Sequence, residues 1–307
     1  MKTLIIAARP GRLSLAQTNL VVSKLLKLRP DVDFKLLQIK TEGDRDTKTS
    51  LWHLKTTGFF TSGIEQAVLE GQADLAVHSF KDLPTKQTEG LQISAVCCRD
   101  FVEDCLVCRE NISSIDKLKT AAKVGTSSLR RAVSLKRLRR DLQILPIRGN
   151  ITTRIEKLKA GQFDAIVLAR AGIERLGLAH IISFVFNPKE FIPAPAQGAL
   201  AVQTRSSDKF TTDLVSAIDD HSAHITTAAE RRILIKTRCG CHAPLGAFAK
   251  INNKRISINA FISDLQGDNF LQMAIDRPVN AYLKAADELA GELLKNGGSE
   301  ILKKMKA

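Results

Sequence analysis

The chain has 307 residues, 44% of them apolar and 25% charged, a balance that excludes an intrinsically disordered protein and provides for two or three domain cores. Its 46 Lys and Arg against 32 Asp and Glu leave +14, which signals either a polyanionic partner or a solvated basic surface. Tyr and Trp occur once each beside 13 Phe, which argues against a base-stacking nucleic-acid surface but not against one that tracks phosphates.

The first apolar run, Leu4 to Ala8, is too short for a signal-peptide core and meets Arg9 at once; it reads as a β-strand of a cytoplasmic protein. No later run approaches the roughly eighteen apolar residues of a membrane span. Further strands are expected at Phe34 to Ile39, Leu75 to Ser79, Leu91 to Cys97, Ala122 to Val124, Leu142 to Ile147 and Ala165 to Ala169. Between them, helical spacing of apolar residues marks Leu15 to Leu28, Ile64 to Leu69, Leu129 to Leu138 and Ile151 to Leu158. Such alternation predicts an α/β architecture with mostly parallel sheets.

After about residue 220 the pattern changes. A helix from Ala223 to Ile235 leads into a Cys239-Gly240-Cys241 loop, and Leu245 to Ile251, Ile256 to Ile262 and Asn269 to Ile275 read as antiparallel strands. A helix from Ala281 to Leu294 and a basic tail follow. Six cysteines in a chain of this length do not make a disulfide scaffold. Cys105 and Cys108 form a C-x-x-C, but Leu106 and Val107 between them look like buried strand, so core thiols are expected and no metal. Cys239-Gly240-Cys241 differs, because its glycine and proline neighbours put it in a loop, where a thiol can react.

The charge is concentrated. Between Lys117 and Lys159 stand thirteen Lys or Arg against Asp141 and Glu156, an excess of eleven out of fourteen. Within this stretch, Gly125-Thr126-Ser127-Ser128-Leu129-Arg130-Arg131 follows a strand and opens a helix. Hydroxyls and free backbone N–H groups at a helix start make an anion site. Arg130 and Arg131 stand where the helix dipole disfavours cations, as if a bound anion offsets them; the bland alternative is a Ser cap with solvated arginines. Arg148-Gly149-Asn150-Ile151-Thr152-Thr153-Arg154 repeats the strand, glycine, hydroxyl and arginine order, and Arg175 stands near the next strand end. In open α/β sheets such loops lie at the carboxyl edge, where ligands bind, and arginine suits bidentate carboxylate recognition. Lys136, Arg137, Arg139 and Arg140 read as a solvated helix face.

In His78-Ser79-Phe80-Lys81-Asp82-Leu83-Pro84, Asp82 is either a surface partner of Lys81 or a carboxylate in an arginine-rich cleft, able to move protons or face a developing cation. His78 reads as structural. A two-lobed carboxylate- or oxyanion-binding protein without catalysis is the competing reading, and it leaves the Cys241 loop unexplained.

Six strings taken in order resemble the porphobilinogen deaminase family, also called hydroxymethylbilane synthase: HSFKDLP from 78, VGTSSLRR from 124, RGNITTRIEKL from 148, FDAIVLARAGIERLGL from 163, PAPAQGALAVQTR from 193 and CGCHAPLG from 239. The resemblance implies two lobes like those of periplasmic binding proteins and a third, smaller α+β domain with the cysteine loop. Their expected boundaries are 1–99 with 197–218, then 100–196, then 219–307. It implies a transferase that joins four porphobilinogen molecules head to tail, with loss of ammonia, on a dipyrromethane cofactor held as a thioether by Cys241. Asp82 matches the catalytic aspartate. Ser79, Lys81, Thr126, Ser127, Ser128, Arg130 and Arg131 match cofactor-binding positions, and Arg9, Gln17, Phe60, Arg148, Arg154, Arg175 and Gln197 match substrate-binding positions. A cytoplasmic monomer acting on small molecules, with neither nucleic acid nor membrane as partner, is implied as well. The chain departs from the family pattern with Gly11 at a serine position, Ser62 and Gly63 at a lysine and a glutamate, Glu103 at an arginine, Gln203 at a glutamate and Cys239 at a glycine.

Overall fold

A computed structural model describes residues 2–45, 61–110, 112–239 and 243–306. In chain order its elements begin with β1 (Lys2–Ala8), α1 (Arg12–Leu28), β2 (Val32–Gln38), α2 (Glu42–Arg45), α3 (Ser62–Leu69), β3 (Leu75–Ser79) and β4 (Leu91–Cys97). Next come β5 (Asp104–Cys108), β6 (Lys123–Gly125), α4 (Leu129–Leu138), β7 (Gln143–Leu145), α5 (Ile151–Lys159), β8 (Ala165–Ala169), α6 (Arg170–Arg175) and β9 (Phe184–Val185). The remainder holds β10 (Leu200–Arg205), α7 (Lys209–Ser216), α8 (His221–Thr237), β11 (Leu245–Asn252), β12 (Arg255–Ser263), β13 (Phe270–Pro278), α9 (Tyr282–Leu293) and α10 (Ser299–Lys306). No helix among the described residues is long and apolar enough to cross a membrane.

Among the described residues, 2–45, 61–100 and 197–225 form one compact unit, and 101–196 with 226–306 form another. The first unit is built on a five-stranded sheet in the order β2-β1-β3-β10-β4. β1 runs parallel to β2 and β3, while β10 is antiparallel to β3 and β4. Leu4, Ile6, Leu75, Val77, Leu200 and Val202 fill one core with Val21 and Leu25 of α1. The leucine spacing predicts α1, yet Leu15, Leu20 and Leu26 are exposed, and its buried stripe is Gln17, Thr18, Val21 and Leu25. A polar residue holds a core-facing position there because Gln17 has a partner on β3.

The second unit carries a sheet in the order β7-β6-β8-β5-β9, with β6 parallel to β7 and β8, and β5 antiparallel to β8 and β9. Both five-stranded sheets follow one plan: two parallel βα steps out from the first strand, then an antiparallel strand inserted beside the third. The expectation of mostly parallel sheets therefore needs correcting by one inserted strand per sheet. β10 escaped the sequence reading because Leu200 to Thr204 are buried throughout, so the strand shows no alternation. Within β5, Cys105 belongs to the core on one face of the sheet and Cys108 packs against the core on the other. Side chains three apart on a strand diverge, so this pair does not converge on a shared ligand.

The same unit holds an antiparallel three-stranded sheet, β11-β12-β13, covered by Ala285, Ala286, Leu289, Ala290 and Leu293 of α9. The fold is thus α/β with two mixed-sheet lobes and a third, smaller sheet. Val133 of α4, Ile192 and Phe261 of β12 share a buried cluster with Phe248 and Phe270 against it. Phe261 and Phe270 stack at 4.4 Å, and the Arg137 guanidinium covers Phe270 at 4.3 Å. Arg140 faces Asp268 at 3.7 Å, and Arg139 pairs with Asp141 while donating to the carbonyls of Ile115, Asp116 and Leu118. The expected solvated face holds for Arg137 and Arg140, which are exposed, while Arg139 is tied to the chain around it.

Candidate active site

In the first unit, the carboxyl ends of β1 and β3 and the amino end of β10 share one sheet edge. Arg9 follows β1, Ser79 ends β3, and a single 3₁₀ turn, Phe80–Asp82, carries Lys81 and Asp82. Phe80 is buried and its N–H donates to the Ala199 carbonyl at 3.0 Å, which pins the turn to the segment entering β10. Lys81 donates to Gln197 Oε1 at 3.2 Å, and Gln17 donates to Ser79 Oγ at 2.9 Å. Five of the expected residues, Gln17, Ser79, Lys81, Asp82 and Gln197, therefore meet around one turn.

Asp82 is exposed and takes no ion pair or hydrogen bond among the described residues. The surface pairing with Lys81 that sequence allows is replaced by the contact from Lys81 to Gln197. Arg9 stands beside the cluster and reaches Asp44 of α2 at 2.5 Å, a partner that sequence reading missed. Burial pushes the Asp44 carboxyl up, but hydrogen bonds from Arg9 and Thr41 outweigh it and hold it below its usual value. Behind the turn, His78 is buried, and desolvation pushes its imidazole down to about 4 despite Gln203 beside it. Gln203 in turn donates to the buried Glu65 at 3.0 Å. His78 is a neutral core residue at physiological pH.

In the second unit, the corresponding edge of the other five-stranded sheet gathers the arginine motifs. Ser128 caps α4 by accepting from the Arg131 N–H, and Asn150 caps α5 by accepting from the Thr153 N–H at 2.9 Å. Thr126 Oγ1 accepts from the Ser128 N–H at 3.2 Å, and Ser127 donates to the Ile147 carbonyl. All three hydroxyls of the loop after β6 are thus oriented by the chain itself.

Arg130 and Arg131 are not solvated. They are 5% and 6% exposed, and both reach Asp104 at 2.7 Å. Arg130 also donates to the Ile192 carbonyl at 2.7 Å and Arg131 to the Val167 carbonyl at 3.2 Å. Desolvation pushes the Arg130 guanidinium down, while Asp104 pushes it up. An anion does offset the two cations, as their position on α4 suggests, and within the chain that anion is Asp104. The signal for it in sequence was slight: one acid heading the apolar run Cys105-Leu106-Val107.

Arg148 and Arg154 flank the loop between β7 and α5, where Arg154 donates to the Gly149 carbonyl at 2.8 Å. Arg175 is half-buried near the end of α6. Cys239, just past α8, is buried. Phe60 and Cys241 lie outside the described residues. A cavity of about 710 Å³ beside the β12–β13 turn and α10 contains none of the expected site residues.

Chemically, the first edge offers a carboxylate without a partner among the described residues, next to a lysine and two amides. The second offers guanidiniums and hydroxyls already aimed by the fold, a donor set that fits a carboxylate-rich group.

The family model described as "Porphobilinogen deaminase, dipyromethane cofactor binding domain" matches residues 4–213. Porphobilinogen deaminase of Deinococcus radiodurans is 38% identical, over 98% of this chain and 98% of its own. The enzyme of that name from Desulforamulus reducens is 37% identical, over 98% and 97%. Among solved structures, the methionine binding protein MetQ aligns with 75% of this chain and 94% of its own, at 12% identity and a TM-score of 0.46. A family match over two thirds of the chain, with relatives similar from end to end, places this chain in the porphobilinogen deaminase family, as an enzyme of tetrapyrrole biosynthesis that works with a dipyrromethane cofactor.

Proposed function

We propose that this chain joins four porphobilinogen molecules head to tail, releases one ammonia per addition, and yields hydroxymethylbilane. The observation that carries the reading is the exposed Asp82, unpaired among the described residues, on a turn whose neighbouring lysine is drawn to Gln197. A carboxyl so placed can serve as both acid and base. Protonated, Asp82 gives its proton to the departing amine; as carboxylate it faces the pyrrole N–H of the resulting substrate cation, then takes the proton released once the new carbon–carbon bond forms. Each cycle returns Asp82 to its starting state.

Cys241 is the proposed attachment point, since a thiol is a good nucleophile toward an electrophilic pyrrole methylene. The attached dipyrromethane supplies the pyrrole carbon at which the chain starts. Each pyrrole brings an acetate and a propionate. Ser79, Lys81, Thr126, Ser127, Ser128, Arg130 and Arg131 are assigned to the carboxylates of the cofactor. Arg9, Gln17, Phe60, Arg148, Arg154, Arg175 and Gln197 are assigned to those of the substrate and the growing chain.

The partner is taken to be a small molecule and the protein a cytoplasmic monomer, as the family resemblance implies, with neither nucleic acid nor membrane as partner. Arg130 and Arg131 are buried, and Arg137 and Arg139 are turned onto Phe270 and backbone carbonyls. Part of the basic run is thereby withdrawn from a surface that would track a phosphate backbone.

Intact mass spectrometry of protein made in a porphobilinogen-producing host tests the reading. The expected result is an excess equal to a dipyrromethane that disappears in Cys241→Ser. An unmodified wild-type mass, with no consumption of porphobilinogen, would overturn it.

A further inference from the structure

Asp104 opens β5, pairs in register with Ala169 at the end of β8, and has no solvent exposure. A carboxylate is desolvated at that position only at considerable cost, which is offset here by two guanidiniums. Arg131 reaches it twice, Nε at 2.9 Å and a terminal nitrogen at 2.7 Å, and Arg130 reaches the other oxygen at 2.7 Å. Each guanidinium is also gripped from a second side by a backbone carbonyl, Ile192 for Arg130 and Val167 for Arg131. Two cations at the start of α4 are thus held in one orientation, and part of their field is answered before any ligand arrives.

We infer that Asp104 is a positioning residue for this anion site: it orients Arg130 and Arg131 and lowers their affinity for ligand carboxylates. The inference rests on the proposed assignment of these arginines to the carboxylates of the bound pyrroles. A second carboxylate brought to the pair is repelled by Asp104 across a medium of low effective dielectric, so its binding is weaker than to two bare guanidiniums. The cofactor assigned to this pair carries a chain that gains two carboxylates per addition, and a moderated grip lets the attached group give way as that chain lengthens.

The test compares wild-type holoenzyme with Asp104→Asn, which keeps the shape and removes the charge. Calorimetric titration with glutarate, made in a Cys241→Ser background so that no attached cofactor fills the pair, should show binding at least threefold tighter once Asp104→Asn is added. In the holoenzyme, kcat with porphobilinogen should fall at least tenfold. Enzyme species bearing one to three added substrates should persist longer in mass spectra under limiting substrate. Unchanged or weaker glutarate binding, or an unchanged kcat, would overturn the inference. A merely structural Asp104 would lower thermal stability and leave glutarate affinity and kcat of the folded fraction where they were.

If Asp104→Asn does not fold, Asp104→Glu is read instead. Its displaced charge should keep glutarate affinity within twofold of the Cys241→Ser parent while kcat of the holoenzyme falls, and a larger change in that affinity overturns the inference. Wild-type protein that ignores porphobilinogen while Asp104→Asn binds glutarate more tightly would refute the proposed reaction and leave this inference standing.

Discussion

Lys81 donates to Gln197 at 3.2 Å, across 116 residues of sequence, and not to Asp82 beside it. The contact ties the turn after β3 to the segment entering β10 and leaves the Asp82 carboxylate open. Replacing Asp82 by Asn should therefore reduce kcat by roughly a hundred- to ten-thousandfold, the range for losing a positioned acid–base group. Urea unfolding should move by less than about 0.5 kcal/mol, since an exposed, unpartnered side chain contributes little to folding. Turnover near the wild-type rate would remove Asp82 from the chemistry.

His78 sits directly behind that turn with an imidazole pushed down to about 4 by burial, against an ordinary value of 6.5. Between these values the unfolded chain binds the proton and the folded chain does not, so stability falls as pH drops through that window and is unaffected above it. The full difference amounts to about 3 kcal/mol. His78→Gln, neutral at every pH, should remove most of this acid sensitivity when urea midpoints are compared at pH 7.5, 5.5 and 4.5. Identical acid profiles for variant and wild type would show that His78 is not the group responsible.

Gly246 in β11 has no room for a side chain. A Cβ there would lie 2.5 Å from the Phe261 ring and 2.8 Å from the Ile192 carbonyl oxygen. Gly246→Ala should cost about 1–3 kcal/mol through forced displacement of a packed ring and a strand. Gly291 in α9 meets nothing within 4 Å, and Gly291→Ala should instead stabilise by roughly 0.5–1 kcal/mol through helix propensity. Calorimetry of the two variants should give melting shifts of opposite sign.

Arg137 and Arg140, two residues from the same basic run, should differ in effect. The Arg137 guanidinium lies over the Phe270 ring at 4.3 Å, and Arg137→Ala should cost about 0.5–1 kcal/mol. Arg140 and Asp268 are both largely exposed at 3.7 Å, and Arg140→Ala should change stability by less than about 0.5 kcal/mol. Equal losses in thermal denaturation would contradict the cation–π account.

Much of this protein was legible in local pattern. Glycine, hydroxyl and arginine following a short apolar run marks a strand, a turn and a helix start within a dozen residues, and the caps at Ser128 and Asn150 bear this out. The turns and alternation after residue 244 likewise delimited β11 to β13, because an antiparallel sheet with one wet face repeats every second residue. The His78 to Pro84 string and the run from Gly125 stand at the sheet edges that such loops occupy.

The partners of those motifs were not legible. Asp104 is 27 residues from Arg131, Asp44 is 35 from Arg9, and Gln197 is 116 from Lys81, and no periodicity links positions that meet only after strands are ordered in a sheet. Sequence by itself settled most of the element types, β10 excepted, the location of the basic excess and the family, since each depends on residues close in the chain or on the order of short strings. Folding determined which of those charges remain available to a ligand, because burial and counter-ion contact are properties of packing: the +14 proved to be partly internal, matched by a buried aspartate and backbone carbonyls before any substrate is considered.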